Sequence, residues 1–306
     1  MKIITLTLSP AFDLHCHATR FCAEHENFVT VTSRDAGGKG VNISRALNEN
    51  GVENTAVVVL GEENGADFCH ALEKQSVNYR AITVAGRIRE NMTVHTDSGA
   101  ETRISFSGFV ADASLLPCVL DAMGDVDANT VVTLTGRIPD GVLMQDVKRF
   151  LCDLRMRGAR IVIDSKSFTI ADLIECRPWL IKPNGEEIAE YLGHEVTSFE
   201  EIREAAAELQ HGGLENVLIS LGAKGAMLVC PQGTFVATPP RVEAVSTIGA
   251  GDSAIAGFLA GTARGEALPA CLRRAVAYGS AACMTSGTNP PQSKDVQTLL
   301  ERIEIL

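Results

Sequence analysis

A glycine-rich stretch, Ser246 to Ser253 (STIGAGDS), places an aspartate where a helix from about Asp252 to Arg264 is expected to begin. Gly249 and Gly251 allow backbone conformations and close approaches that a side chain forbids, and the first amides of a helix lack intrahelical partners. Such a helix start attracts anions, phosphate among them. A carboxylate at the same spot adds nothing to anion binding, so Asp252 points to a chemical task, the acceptance of a hydroxyl proton. The same residues also suit a plain capped turn, because aspartate is common at helix N-termini. The turn alone does not separate the two readings.

Other candidates fall in loops that follow apolar strands, where open parallel sheets bind ligands. Lys2 to Leu8 reads as a strand ended by Pro10, which has no amide to donate. Asp13 is expected in the loop that follows. Gly37-Gly38-Lys39-Gly40 opens a helix to about Asn50, with Asn42 in its first turn. Asn184 and Glu187 follow a strand ending at Lys182, and Ser220-Leu221-Gly222 follows another. Asp13 and Asn42 have the side chains that hold polyol hydroxyls, and Lys39, Arg89 and Arg103 have those that hold phosphate. Each has a plainer alternative: GGKG as a flexible turn, Arg89 and Arg103 as solvated strand-edge charges.

The elements that must position these residues are of two kinds. From about Ser114 onward, helical and strand patterns alternate, which predicts a mostly parallel sheet covered by helices on both faces. Two other stretches alternate as short strands separated by turn residues: Leu14 to Arg20 with Phe28 to Arg34, and Arg80 to Val84 with Arg89 to Thr96 and Glu101 to Phe106. Their shared character predicts one small antiparallel sheet acting as a lid. The expected division is an α/β domain of residues 1–10, 36–78 and 108–306, and a lid of residues 11–35 and 79–107.

Composition narrows the function classes. The 306 residues are 45% hydrophobic, and 27 Lys plus Arg against 38 Asp plus Glu give a net charge of -11. That balance argues against nucleic acid as a partner, while a few converging cations can still make a local anion pocket. The 9 cysteines form no C-x-x-C pair, which predicts a reduced, cytoplasmic chain. His15-Cys16-His17 invites a metal reading, but strand alternation sets Cys16 with Leu14 and Ala18, opposite the histidines. No apolar run approaches the roughly 20 residues that span a bilayer, so no membrane association is expected. Neither G-x-G-x-x-G nor a P-loop is present.

Seven motifs then occur in a fixed order: TLSPAFD at 7–13, GGKGVNISRAL at 37–47, RENMTVH at 89–95, FSGF at 106–109, KPNGEE at 182–187, SLGAKGA at 220–226 and STIGAGDS at 246–253. On these, essentially the whole chain resembles a sugar kinase of the PfkB family in the ribokinase superfamily. Within it, the chain is similar to the bacterial 1-phosphofructokinase and tagatose-6-phosphate kinase group. The resemblance implies a ribokinase-like fold in which Asp252 takes the proton of a sugar hydroxyl as it attacks the γ-phosphate of ATP. Gly249, Ala250 and Gly251 would supply the anion hole. Asn184 and Glu187 match the N-x-x-E motif that organises Mg²⁺, through water, and the ATP phosphates. Lys182 and Ser220 would lie along those phosphates, and the turn with Gly222 and Gly225 beside the nucleotide.

On the acceptor side the resemblance implies that Asp13, Gly38, Lys39 and Asn42 bind and orient the sugar and that Arg89 holds its phosphate. It also implies a homodimer through the lid sheets. Three positions depart from the family pattern. Ser9 replaces the usual Asn, Arg137 in TGRIPDG replaces a small Ser, and Lys166 in DSKSF replaces a small residue. Arg137 either adds a phosphate contact or narrows the pocket. The cations Lys39, Arg89, Arg103 and Arg137 favour a ketohexose monophosphate over a free sugar. Fructose 1-phosphate, converted to the 1,6-bisphosphate, is the first choice, with tagatose 6-phosphate and fructose 6-phosphate remaining open. A non-catalytic sugar or nucleotide sensor is the contrasting class, and the intact Asp252, Asn184 and Glu187 argue against it.

Overall fold

The first strand, β1 (Lys2–Thr7), is buried along nearly its whole length and becomes an inner strand of a large sheet. The chain then runs through β2 (Ala11–Ala18), β3 (Thr30–Gly37), α1 (Lys39–Glu49), β4 (Thr55–Gly61), α2 (Gly65–Lys74), β5 (Tyr79–Val84), β6 (Arg89–Thr96) and β7 (Glu101–Ser105). The middle third holds α3 (Leu115–Met123), β8 (Thr130–Thr135), α4 (Met144–Met156), β9 (Arg160–Asp164), α5 (Ile170–Cys176), β10 (Leu180–Ile181), α6 (Gly185–Leu192) and α7 (Phe199–His211). The last third holds β11 (Asn216–Ser220), β12 (Ala226–Cys230), β13 (Gly233–Thr238), α8 (Ala250–Ala263), α9 (Leu268–Cys283), α10 (Ser293–Leu300) and β14 (Glu304–Ile305). The structure, a computed structural model, describes residues 1–196 and 198–306.

Among the described residues a 10-stranded sheet runs in the order β14-β13-β12-β11-β10-β9-β8-β1-β4-β5. From β5 to β11 all neighbours are parallel, and β12, β13 and β14 add antiparallel pairings at one edge. Its inner strands are buried on both sides, as a sheet covered on both faces requires. One core packs α2 to α7 on one face, with Phe68, Leu72, Leu151 and Leu154 at 0% exposure. The other packs α1, α8, α9 and α10, with Leu47, Phe258, Leu272 and Val296 equally closed. Hydrophobic burial on both faces is the main force holding the sheet in place.

The expected mostly parallel sheet with a smaller one beside it is therefore present, with two differences. β5, expected to begin the second lid segment, belongs to the large sheet and pairs in parallel with β4. The β4-α2-β5 stretch is a crossover unit whose return strand lies beside its first. The second segment of the small sheet thus begins at Arg89. The small sheet, ordered β3-β2-β6-β7, is antiparallel within each hairpin, but the hairpins join through a parallel β2/β6 pair. The parallel strands β1 and β5 leave the large sheet at the same edge, so the excursions that follow them start in the same direction.

Candidate active site

Asp13 lies within β2 and not in a loop, because after Pro10 the chain enters the small sheet at once. Its Oδ1 accepts a 3.0 Å hydrogen bond from Asn91 Nδ2 on the paired strand β6. Burial raises its pKa against the opposing pull of Asn91, His15 and Arg89. Gly37, on β3, is what gives it room: a Cβ there would sit 2.1 Å from Asp13 Oδ2. The adjacent Gly38 caps α1 at φ 129, a conformation that L side chains rarely adopt.

The helix so started carries two site residues toward the other half of the molecule. Lys39 Nζ donates to Asp164 Oδ2 at 3.0 Å, and Asn42 Nδ2 donates to Asp252 Oδ2 at 2.8 Å. Among the described residues no donor reaches the buried Asn42 Oδ1. α8 begins two residues before its expected start, so Gly249 is its cap, at φ 77, and Asp252 lies in its first turn. No side-chain cap occupies that helix start. Aspartate at this position commonly serves the helix alone; here the carboxylate reaches across to α1.

Asp252 is 6% exposed. Burial pushes its pKa up to about 6, with Asp164 adding to the rise and Lys39, Asn42 and Lys182 opposing it. A carboxylate so placed is a competent base near neutral pH.

Asp164, which the sequence reading passed over, ends β9 and is also buried. Burial alone would raise its pKa, but Lys182 and Lys39 hold it below the usual carboxylate range. Lys182 Nζ lies 3.8 Å from Asp164 Oδ2, and a Cβ on Gly251 would approach that same Nζ to 3.1 Å. Lys182 thus flanks the glycine turn, and one carboxylate lies beside both lysines. For Lys39, burial works to lower the pKa, and Asp164 with Asp252 outweighs it.

Asn184 and Glu187 form a reciprocal cap on α6: Glu187 N donates to Asn184 Oδ1 at 2.8 Å, and Asn184 N to Glu187 Oε2 at 3.0 Å. Glu187 Oε1 faces Lys166 Nζ at 4.0 Å. Among the described residues no cluster of three or more His, Cys, Asp or Glu could hold a metal. One carboxylate oxygen beside Asp164 is instead a donor set of the kind that suits Mg²⁺ held largely by waters and nucleotide phosphates. Ser220 bridges to Asn184 at the adjacent strand end, followed by the turn with Gly222 at φ 59 and Gly225 at φ 96.

The arginines separate. Arg89, half-buried at the start of β6, has a pKa lowered by burial and by the facing charge of Arg137, and its buried Nε has no partner among the described residues. Arg137 itself lies 3.6 Å from Asp140. Arg103 is farther along the small sheet, bonded at 2.6 Å to Glu101. It lines a cavity of about 740 Å³ between His15 and Asp35 of the small sheet and the 246–248 and 286–289 loops of the large domain. His15 stacks on His95 at 5.9 Å, while Cys16 joins Ala18 and Val94 in the core on the opposite face, as alternation predicts.

Lys39, Asn42, Asp164, Lys182 and Asp252, with Asn184 bridged to Ser220, thus gather at the carboxyl ends of the parallel strands. Residues 12–295 match the model of the pfkB family carbohydrate kinases. A 1-phosphofructokinase of Vibrio cholerae is 32% identical over 99% of this chain and 96% of its own. The 1-phosphofructokinase of Escherichia coli K12 is 31% identical over 99% and 98%. The crystal structure of phosphofructokinase-2 from Escherichia coli in complex with potassium superposes with a TM-score of 0.90, at 26% identity and 98% coverage of both chains. The chain belongs to the pfkB family of carbohydrate kinases and is a phosphotransferase with an alcohol group as acceptor.

Proposed function

We propose that the protein transfers the γ-phosphoryl group of ATP to a ketohexose monophosphate, with fructose 1-phosphate as substrate and fructose 1,6-bisphosphate as product. The observation that carries this reading is the Asp252 carboxylate, buried at an open helix start, raised toward neutral pH and bonded to Asn42. The 6-hydroxyl oxygen of the sugar attacks the γ-phosphorus as its bond to the β-phosphate oxygen breaks. The hydroxyl proton passes to Asp252, and ADP leaves.

Phosphoryl transfer depends mostly on positioning and charge stabilisation. Asn42 holds the Asp252 carboxylate while its own unpartnered Oδ1 remains an acceptor for the sugar. The amides of Gly249, Ala250 and Gly251 stabilise charge on the transferring group, and Lys39 and Lys182 add positive potential. Asn184 and Glu187 would hold Mg²⁺ through water, where it would neutralise nucleotide phosphate charge, and Ser220, Gly222 and Gly225 line the nucleotide. Asp13 and Gly38 orient the sugar, and Arg89 with Arg137 holds its phosphate. Two guanidinium groups facing one another, one of them also paired with Asp140, suit a dianion.

The small sheet closes over the sugar and pairs two copies of the chain. Its outer face exposes Val31 and Ile104, in register with Cys16 and Met92. A face of that kind suits a partner.

The homologues include an ATP-dependent 6-phosphofructokinase isozyme 2 of Escherichia coli at 27% identity, so fructose 6-phosphate is the second reading. ADP release measured over fructose 1-phosphate, fructose 6-phosphate, tagatose 6-phosphate and free fructose tests the assignment. The highest kcat/KM is expected for fructose 1-phosphate. No turnover with any of the three phosphosugars by folded protein contradicts the reading.

A further inference from the structure

Arg45 lies on α1 one turn beyond Asn42 and is only 7% exposed. A buried guanidinium is costly unless it is well bonded, and a core position is filled more cheaply by an aliphatic side chain. Among the described residues Arg45 has no close ion-pair partner: Asp35 and Asp13 act on it through space. Its hydrogen bonds go to neutral acceptors, Nη1 to Thr288 O at 3.3 Å and Nη2 to Asn289 Oδ1 at 3.4 Å.

Those acceptors belong to the loop after α9, and that loop lies behind the glycine turn. A Cβ on Gly249 would come within 3.7 Å of Thr288 Cα. The loop is also braced internally, Thr285 Oγ1 donating to Asn289 O at 2.8 Å. Asn50, at the far end of α1, donates to Pro291 O at 3.1 Å.

Lys39, Asn42 and Arg45 therefore recur every three residues along α1, each reaching a different part of the donor half. Lys39 reaches Asp164 on β9, Asn42 reaches Asp252 on α8, and Arg45 reaches the 286–289 loop. Side chains three apart lie on successive turns of one helix flank. A rigid helix is well suited to hold separate segments in fixed relation.

We propose that Arg45 is a positioning residue of the phosphoryl seat, fixing the 286–289 loop and, through Thr288, the Gly249–Gly251 turn to the helix that carries Lys39 and Asn42. The inference rests on the reading of that turn as the phosphoryl seat. Arg45 touches neither substrate nor the reacting atoms; it acts on the height and rigidity of the turn.

Hydrogen exchange on the full-length protein without substrates tests the tether itself, comparing Arg45→Met, Arg45→Lys and the exposed control Glu49→Ala. Arg45→Met is expected to speed amide exchange about tenfold in both 284–289 and 247–251, with β4 unchanged, since a hydrogen bond from a charged donor contributes on that order. Arg45→Lys recovers part of the protection and Glu49→Ala changes nothing. In turnover, Arg45→Met lowers kcat and raises KM for ATP, leaving KM for the sugar as it was. Exchange that rises evenly across α1 and its neighbours, or in 284–289 alone, overturns the proposal. Should Arg45→Met fail to fold, Asn289→Ala removes one acceptor from an exposed position and is expected to give the same two-segment pattern, more weakly; its absence there also overturns the proposal. If Asp252→Asn keeps full turnover, the reading of Asp252 as the base beside the phosphoryl seat fails while the exchange pattern still reports on the tether.

Discussion

Asn42 Nδ2 donates a 2.8 Å hydrogen bond to Asp252 Oδ2, joining residues separated by 210 positions. That bond ties α1 to the glycine turn that opens α8, and it favours the ionised form of a carboxylate whose pKa burial raises.

Asp252→Asn removes the proposed proton acceptor with little change in the shape of the site. A loss in kcat of about 10²–10⁴ is expected, the range for a positioned general base, with KM for ATP little changed. Steady-state kinetics on the purified variant checks this.

The same substitution should stabilise the fold. The folded-state pKa of Asp252, about 6, lies above the ordinary 3.8, so the native chain binds this proton more readily than the unfolded chain. Ionisation therefore opposes folding above pH 6. Thermal denaturation is expected to show a higher Tm for Asp252→Asn at pH 8, the gain shrinking as pH falls through about 6 toward 3.8.

Two neighbours should move the acid limb of the kcat profile in opposite directions. The Asn42 hydrogen bond lowers the Asp252 pKa, so Asn42→Leu shifts the limb to higher pH. The Asp164 charge raises it, so Asp164→Asn shifts the limb to lower pH. Profiles of both variants, recorded with saturating ATP and sugar, supply the test.

Asp164→Asn should also destabilise the fold. Lys182 and Lys39 lose their shared carboxylate, and breaking a buried ion pair costs about 3 kcal/mol. Urea unfolding at pH 7.5 reads this directly, with Asp252→Asn as the comparison of opposite sign.

Much of this arrangement was legible in the sequence because it is local. Pro10 after an apolar run, GGKG before a helical pattern, and GAGD before another each mark a boundary by residue type, and the structure puts helix starts at the last two. What was not legible depends on partners distant in sequence. Asp164 looks like any acid ending an apolar strand; its importance comes from Lys39, 125 residues upstream, and from Lys182. β5 alternates in the manner of an edge strand of either sheet, and only the crossover through α2 assigns it to the large one. The parallel seam between β2 and β6 is equally hidden, since each hairpin by itself is antiparallel. Arg45 stood inside a recognised motif, but nothing local distinguishes a buried arginine from a solvated one.

The kcat of wild type and Asp252→Asn for ADP release with fructose 1-phosphate, followed from pH 5 to 9, tests the central claim most directly. Wild-type activity is expected to rise through about pH 6 and then level off, and the variant to show a rate lower by about 10²–10⁴ with that limb gone. A variant that keeps wild-type turnover and the same acid limb would show that another group takes the proton.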